Sequence, residues 1–247
     1  HSYQLLKKYR KAISYQILAS ELQADVLNPY FKKVKQLMPK AGDSLVLTRL
    51  YYRFGQFLSG NGKQKQATTY FQEALRLARI THNDKAIATL AKQLADEYRD
   101  LGKKRLSILR YKESLAAAIR LNDSNLMSAA YLNLGDTYKE QGNLEAGMNQ
   151  LLKALKIKEA IDDSSQLSFY YIKAGEMAEA SRNWKKWEEY IQKAYEIKDL
   201  DHCATPTEKA IIYENLGSIA RQNHQLEKSF HYFDTLMNIS RKTNYIN

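Results

Sequence analysis

The sequence repeats itself with a period of forty residues, and this periodicity constrains the fold more than any other feature. A small residue recurs at this spacing, after a two-residue insertion in the last copy: Gly55, Ala95, Gly135, Gly175 and Gly217. A large apolar residue follows sixteen positions later in every copy: Phe71, Tyr111, Leu151, Ile191 and Phe233. Five copies in register predict a chain of stacked, similar units rather than one globular core.

Residues that begin and end helices keep the same period. Candidate N-cap residues precede an apolar-periodic segment in four copies: Ser44, Asp84, Ser124 and Ser164. In the last copy Thr205-Pro206-Thr207-Glu208 has the pattern of a capping box with proline at the first helical position. Residues that tolerate a left-handed helix end interrupt each copy midway: Asn61-Gly62, Gly102, Gly142-Asn143, Asn183 and Asn223. Each copy is therefore predicted to be two antiparallel helices, A and B, of about sixteen to eighteen residues each.

The recurring small residues have a mechanical role in this arrangement. Gly135 on helix A and Gly147 on helix B would let the two backbones approach closely where the helices cross. Side chains larger than the available space at such a contact destabilise a protein by about 1–3 kcal/mol. The pattern predicts a crossing point built on small residues in each copy, although Trp187 occupies the corresponding position of the fourth copy.

These spacings resemble the tetratricopeptide repeat (TPR) pattern, which is clearest in the third full copy: Tyr131, Leu134-Gly135, Tyr138, Gly147, Leu151 and Ala154. The resemblance covers residues 42–243, although the period of forty exceeds the usual length of about 34. The longer period is similar to TPR sensor and regulatory segments of bacterial signalling proteins, such as sensor histidine kinases and helix-turn-helix regulators. HEAT-like repeats share a period near forty but do not require the Leu-Gly step, and they are the structural runner-up.

The resemblance implies an all-α fold, a right-handed TPR superhelical solenoid of about six antiparallel helix hairpins. The five full units are expected at residues 42–81, 82–121, 122–161, 162–203 and 204–247. A degenerate helical hairpin is expected before them, at residues 1–41, where Tyr15 replaces the small residue. The chain begins at His1 without an initiator methionine or a signal-type apolar region, so we expect it to be part of a longer protein.

The net charge of +11 favours an acidic partner or surface in general terms. The basic residues are spread along the chain in short groups typical of solvated helix faces: Lys7-Lys8, Lys32-Lys33, Lys103-Lys104-Arg105 and Lys185-Lys186. A nucleic-acid-contacting helical repeat protein is therefore the alternative function, favoured by charge alone. No apolar run approaches the ~20 residues of a membrane span. The sequence leaves open a cytoplasmic or an extracytoplasmic location.

Nothing in the sequence predicts catalysis. Cys203 has no evident base partner, and the sequence contains no glycine-rich phosphate loop. His224 and His231 share a helical face but lack a third ligand at metal-binding spacing. We therefore predict no catalytic residue, no cofactor and no metal site.

The predicted activity is protein binding. In TPR modules helix A lines the concave surface, and the resemblance implies these partner-binding positions: Arg49, Tyr52, Arg53, Gln56, Lys92, Gln93, Asp96, Arg99, Asn133, Asp136, Lys139, Lys173, Glu176, Glu179, Asn215, Ser218 and Arg221. Asn133 and Asn215 are expected to matter most, since a carboxamide both donates to and accepts from a peptide group.

Positive and negative side chains alternate among these positions, as Lys92 and Asp96 show. The expected ligand is a peptide or protein of mixed charge, rather than a single C-terminal carboxylate. The last helix carries more apolar residues than one face can bury, including Phe230, Phe233 and Met237. This excess predicts either a further covering element or self-association through the C-terminal helix.

Overall fold

The computed structural model describes residues 44–161, 164–197 and 204–243. In these residues it contains helices and turns but no strand. The helices of the described residues are α1 Ser44–Gly60, α2 Gln64–Ile80, α3 Asp84–Asp100, α4 Lys104–Arg120, α5 Ser124–Glu140, α6 Leu144–Ala160, α7 Ser164–Ala180, α8 Trp184–Tyr195, α9 Pro206–Gln222 and α10 Leu226–Thr243. The predicted hairpin at residues 1–41 and Cys203 lie outside the described residues.

The helices pair into hairpins within two compact units, which divide between Asn122 and Asp123. In the first unit α1 packs on α2 and α3 on α4, and α2 also packs on α3. In the second unit the pairs are α5 with α6, α7 with α8 and α9 with α10, and both α6 on α7 and α8 on α9 join neighbouring hairpins. The fold is therefore an all-α repeat solenoid, as the periodicity predicts.

The large residue of each repeat lies at the centre of its hairpin. Phe71 and Tyr111 are completely buried, and Leu151 and Ile191 are nearly so. Phe233 in α10 is only half-buried. The central residue is thus buried in the first four hairpins, whereas in the last one it stays partly exposed among the described residues.

Glycines lie where the two helices of a hairpin cross. A Cβ atom added to Gly147 would lie 2.9 Å from the carbonyl oxygen of Gly135, so the two backbones are in direct contact. In other hairpins the glycine of helix A lies under the large residue: a Cβ on Gly175 would lie 2.8 Å from Ile191, and one on Gly217 2.8 Å from Phe233. These contacts explain why the small residue recurs.

The helix starts differ from the prediction by one residue. Asn83 and Asp123 are the N-caps of α3 and α5, and their side chains accept hydrogen bonds from the backbone N–H groups of Ala86 and Leu126. The predicted caps Asp84 and Ser124 are the first helical residues instead. Two adjacent residues could each cap these helices, and the sequence pattern alone did not separate them. The predicted capping box at Thr205 is confirmed.

The left-handed turn residues also differ in part. Gly62, Gly102 and Gly142 have positive φ, as expected. In the last two hairpins Arg182 and His224 take this conformation, at φ of 55° and 59°, rather than the predicted Asn183 and Asn223. Asn183 is instead the N-cap of α8, and Asn223 is the C-cap of α9. This three-residue turn requires the left-handed conformation at one fixed position. The free energy gained by packing the two helices outweighs the conformational cost of a non-glycine residue at that position.

The glycine contact between α5 and α6 is testable by substitution. We expect Gly147→Ala to lower the free energy of unfolding by about 1–2 kcal/mol, because the overpacking cost exceeds the helix-propensity gain. Gly60→Ala in α1 is the matched control, since nothing lies within 4 Å of a Cβ at that position. The control should be neutral or slightly stabilising. Thermal melts followed by circular dichroism measure both, and equal effects would contradict the proposed backbone contact.

Candidate functional site

The residues predicted to bind a partner lie on the first helix of each hairpin, α1, α3, α5, α7 and α9. All of them are partly or fully exposed, and none is buried. The same helices direct their large apolar residues into the hairpins, as Leu94 and Leu134 show. Helix A therefore has an apolar packing side and a polar side that remains accessible within each unit.

An open cleft of about 230 Å³ lies between α1 and α3 in the first unit. It is lined by Thr48, Arg49, Tyr52, Asn83, Lys85, Ala86, Thr89 and Leu90. Arg49 and Tyr52 belong to the predicted set, but the other lining residues were missed. Most of those lie at the start of α3, whereas the resemblance transferred only positions in the middle and at the end of that helix.

Several polar groups of the cleft are already used by its own walls. The Thr48 hydroxyl donates to the carbonyl oxygen of Ser44 at 2.7 Å, and the Thr89 hydroxyl donates to that of Lys85 at 3.0 Å. The Gln56 carboxamide donates to the Tyr52 phenol oxygen at 2.9 Å, which joins two predicted positions on α1. Each of these bonds lies within one helix, and none involves the side chains of Arg49 or Lys85.

A buried carboxyl group joins the other ends of α1 and α3. The Ser59 hydroxyl of α1 donates to Glu97 Oε1 of α3 at 2.5 Å, and Glu97 is only 2% exposed. Its Oε2 atom has no hydrogen-bond partner among the described residues. Burial raises the pKa of Glu97, and the side chains of Ser59 and Gln93 partly oppose this shift. No sequence pattern indicates this contact, because Glu97 sits in an otherwise ordinary charged segment.

Three predicted positions on α3 form one network around a buried phenol. The Lys92 ammonium forms an ion pair with Asp96 at 2.8 Å. The phenol of Tyr111, from α4, donates a hydrogen bond to the same carboxylate. The Arg99 guanidinium lies 6.0 Å from the centroid of the Tyr111 ring. Burial and the neighbouring Asp96 carboxylate raise the Tyr111 pKa, so this phenol stays a hydrogen-bond donor.

Predicted positions in the second unit form ion pairs within α7 and between α5 and α7. Glu176 of α7 forms ion pairs with Lys173 at 2.9 Å and with Lys139 of α5 at 3.7 Å. The Asn133 side chain is partly exposed, and its carboxamide has no hydrogen-bond partner among the described residues. Charges on this surface therefore alternate and are largely matched.

Asn215 is engaged in the fold, which differs from its expected role as a ligand contact. Its Oδ1 atom accepts a hydrogen bond from the indole of Trp187 at 2.9 Å, and its Nδ2 atom donates to the Ile211 carbonyl oxygen at 2.7 Å. Trp187 is 3% exposed and packs beside Gly175. A buried indole N–H requires an acceptor, and Trp187 at a small-residue position was the available signal.

Two further properties of the described residues bear on function. They contain no group of three or more His, Cys, Asp or Glu side chains placed to hold a metal ion. None of their helices is both long and apolar enough to span a membrane.

Helical hairpins that stack in register and keep one polar side accessible define a helical-repeat protein of the solenoid class. The family model of the tetratricopeptide repeat matches residues 48–81 and 128–161. The two matched segments each extend from helix A into helix B, through α1 and α2 and through α5 and α6. The chain therefore contains tetratricopeptide repeats in these two segments.

Solved structures with the same fold agree with this assignment. BtubC (BKLC) from P. vanneervenii is 14% identical, with a TM-score of 0.74, over 96% of this chain and 94% of that one. A second similar structure is a Signal Transduction ATPase with Numerous Domains (STAND) protein with a tetratricopeptide repeat sensor, PH0952 from Pyrococcus horikoshii. That match has 18% identity and a TM-score of 0.72, and covers 99% of this chain and 38% of the other.

A third similar structure is a Rap protein complexed with Competence and Sporulation Factor. It is 12% identical, with a TM-score of 0.61, over 96% of this chain and 65% of that one. No curated protein matches the sequence. At these identities the structures establish the fold and nothing finer.

The buried carboxyl between α1 and α3 predicts a specific pH dependence. Because the pKa of Glu97 is raised in the folded state, that state retains a proton that the unfolded state releases at about pH 4.3. The contribution of Glu97 to the free energy of unfolding therefore falls as the pH rises from about 4 through the folded pKa. We expect Glu97→Gln to gain stability relative to the native protein as the pH rises, measured as melting temperature from about pH 4 to about pH 8.

The control for this experiment is Glu214→Gln, which changes an exposed residue in the middle of α9. We expect its melting-temperature difference from the native protein to change less with pH than that of Glu97→Gln, because the substitution leaves the buried Glu97 in place. A Glu97→Gln difference that varies no more with pH than that of the control would show that this carboxyl titrates normally.

Proposed function

We propose that the chain is a protein-interaction module that binds a peptide segment or partner domain through the polar sides of its A helices. The observation that carries this proposal is that all predicted contact positions on α1, α3, α5, α7 and α9 remain at least partly exposed. Tetratricopeptide repeat proteins are generally non-enzymatic scaffolds, and we propose binding without catalysis for this chain. The paired charges on α3 and α7 favour a partner of mixed charge.

We further propose that it is the sensory or regulatory part of a larger bacterial signalling protein, a two-component sensor or a transcription regulator. Two fold relatives support this context. One is the repeat sensor of a STAND protein, and the other is a Rap protein complexed with Competence and Sporulation Factor. Sequencing the parent gene on both sides of this segment tests the signalling role. A kinase or DNA-binding domain there would support it, and an unrelated enzyme domain would count against it.

The binding surface is tested by changing two accessible positions of the second unit. We expect Asn133→Ala with Lys173→Glu to abolish capture of a partner, because one change removes a free carboxamide and the other disrupts the Lys173–Glu176 ion pair. Partners are first isolated with the native protein and identified, and binding is then measured by pull-down. Circular dichroism on the same sample should show unchanged helix content and melting.

The matched control is Asn149→Ala with Lys156→Glu on α6, which makes the same chemical changes at exposed positions of helix B. This control should bind as the native protein does. If the A-helix variant keeps full binding while the α6 variant loses it, the partner surface lies on the second helices instead.

We also propose that the outer side of α10 mediates self-association with a second copy of the chain. Positions that are buried on α2 and α6 by the next helix are open on α10. Leu75 and Leu155 are 1% and 4% exposed, whereas Met237 at the equivalent position is 42% exposed. Phe230, two turns earlier on the same side, is 75% exposed. A patch of this kind marks an association surface.

Self-association is tested by making this side polar without disturbing the hairpin. Phe230→Glu with Met237→Lys changes exposed positions and preserves net charge, and it leaves Phe233 in contact with Gly217. We expect the native protein to gain mass with concentration in light scattering and the variant to stay monomeric. A native protein that remains monomeric at high concentration would contradict the proposal.

A further inference from the structure

We propose that the cleft between α1 and α3 is an anchor for an acidic side chain of the bound partner, seated beside an apolar one. This inference rests on the proposed function and specifies which side chains of the partner are bound. The cleft is defined by the eight residues given above, from Thr48 to Leu90, and all of them belong to the first unit.

The first argument is that the cations of this cleft lack the carboxylates that other A-helix cations have. Arg49 and Lys85 are exposed, and neither forms an ion pair with any described residue. By contrast, Lys92 pairs with Asp96, and Lys173 pairs with Glu176.

The sequence around the cleft explains this contrast. Helix α1 contains no acidic residue, and Lys85 has no acidic residue three or four positions away. Asp84, which precedes Lys85, is held by Arg120 of α4 at 2.6 Å. The neighbouring guanidinium keeps the Asp84 pKa below its usual value, so this carboxylate is already matched. Among the described residues, no carboxylate therefore pairs with the cations of the cleft.

The second argument is that the hydrogen-bonding groups left free in the cleft are mainly donors. Arg49 offers a guanidinium and Lys85 an ammonium group. The Asn83 side chain uses its oxygen to cap α3, which leaves its amide N–H groups without a partner among the described residues. The Tyr52 oxygen accepts from Gln56, so its own O–H can donate. Several donors facing few acceptors match a carboxylate better than a neutral amide or a cation.

The third argument is size. A cleft of about 230 Å³ lies below the ~300–1,000 Å³ of pockets that enclose a small-molecule ligand. It suits one or two side chains of an extended chain. Leu90 is 3% exposed and, together with Ala86 and the Tyr52 ring, gives the cleft an apolar part. The occupant is therefore an Asp or Glu of a partner segment with an apolar neighbour.

The experiment selects ligands from a phage library of random dodecapeptides on the immobilised full chain. We expect the native protein to enrich peptides in which Asp or Glu adjoins an apolar residue. Arg49→Glu with Lys85→Glu should lose that enrichment. A selected peptide, synthesised with a fluorescent label, should bind this variant at least roughly ten-fold more weakly than the native protein, and its Gln-for-Glu analogue should be weakened similarly.

Because the chain is strongly basic, the control must separate the cleft from net charge. Lys112→Glu with Lys156→Glu makes the same charge change at exposed positions of α4 and α6, and it should keep both the enrichment and the affinity. Arg49→Gln with Lys85→Gln, checked by circular dichroism, removes the charge with less risk to folding and should weaken binding in the same direction.

The outcomes separate the anchor from the broader function. Peptides selected without acidic residues, or an equal loss of binding in the α4/α6 control, would overturn the anchor and leave the interaction module standing. Selection of no peptide by the native protein would overturn the anchor, while identified partners that still require Asn133 and Lys173 would uphold the module. If neither peptides nor partners bind, both proposals fail.

Discussion

The close contact between the two helices of a hairpin is the constraint on which the rest of the structure depends. Where Gly147 meets the backbone of Gly135, a methyl group would fall 2.9 Å from a carbonyl oxygen. Close approach brings the next turn of helix B into the core, so Leu151 is 1% exposed. Within each unit a hairpin then packs its remaining apolar side on the following one, as α2 does on α3. The polar sides of the A helices remain accessible.

Because that surface is built from consecutive A helices, contacts between them decide how firmly a ligand site is held. Ser59 and Glu97 join α1 to α3, and Lys139 and Glu176 join α5 to α7. The first contact is buried and the second is partly exposed, so the first has more influence on geometry. The Ser59–Glu97 bond lies at the ends of α1 and α3 opposite to the cleft and ties the two helices together, so less conformational entropy is lost if a ligand contacts both.

The sequence predicts the repeats well because their packing is local and periodic. The small residue at Gly135 and the large residue at Leu151 lie within one hairpin, and their spacing alone determines helix pairing. Turn details are less predictable, since adjacent residues such as Asn83 and Asp84 can both cap a helix. The left-handed turn at Arg182 was also missed, because the geometry of a tight turn overrode residue preference.

The candidate site was less predictable, since register shows where a residue lies and not what its side chain contacts. Arg49 and Tyr52 line the cleft between α1 and α3, and their role in binding stays a prediction. Asn215 was also placed correctly on helix A, yet its carboxamide is occupied by Trp187 from the preceding hairpin. Lys85 was missed altogether, although its lack of an acidic residue three or four positions away was visible in the sequence. The anchor proposed above therefore rests on unmatched charges rather than on positions transferred from the repeat pattern.

The hairpin of α7 and α8 shows why the position of a residue in the repeat does not determine the role of its side chain. Trp187 stands where the preceding hairpin has Gly147, and α8 is twelve residues long where other helices have seventeen or eighteen. The indole is accommodated because Gly175 leaves room beside it, and because Asn215 accepts its N–H. A repeat can thus absorb a large side chain at its crossing point by recruiting a polar residue of the next helix A. The carboxamide of that residue is then used within the fold and no longer available to a ligand. We therefore expect ligand binding at hairpins whose A-helix polar groups have no such partner. In the described residues, the cations of α1 and the first turn of α3 meet that condition.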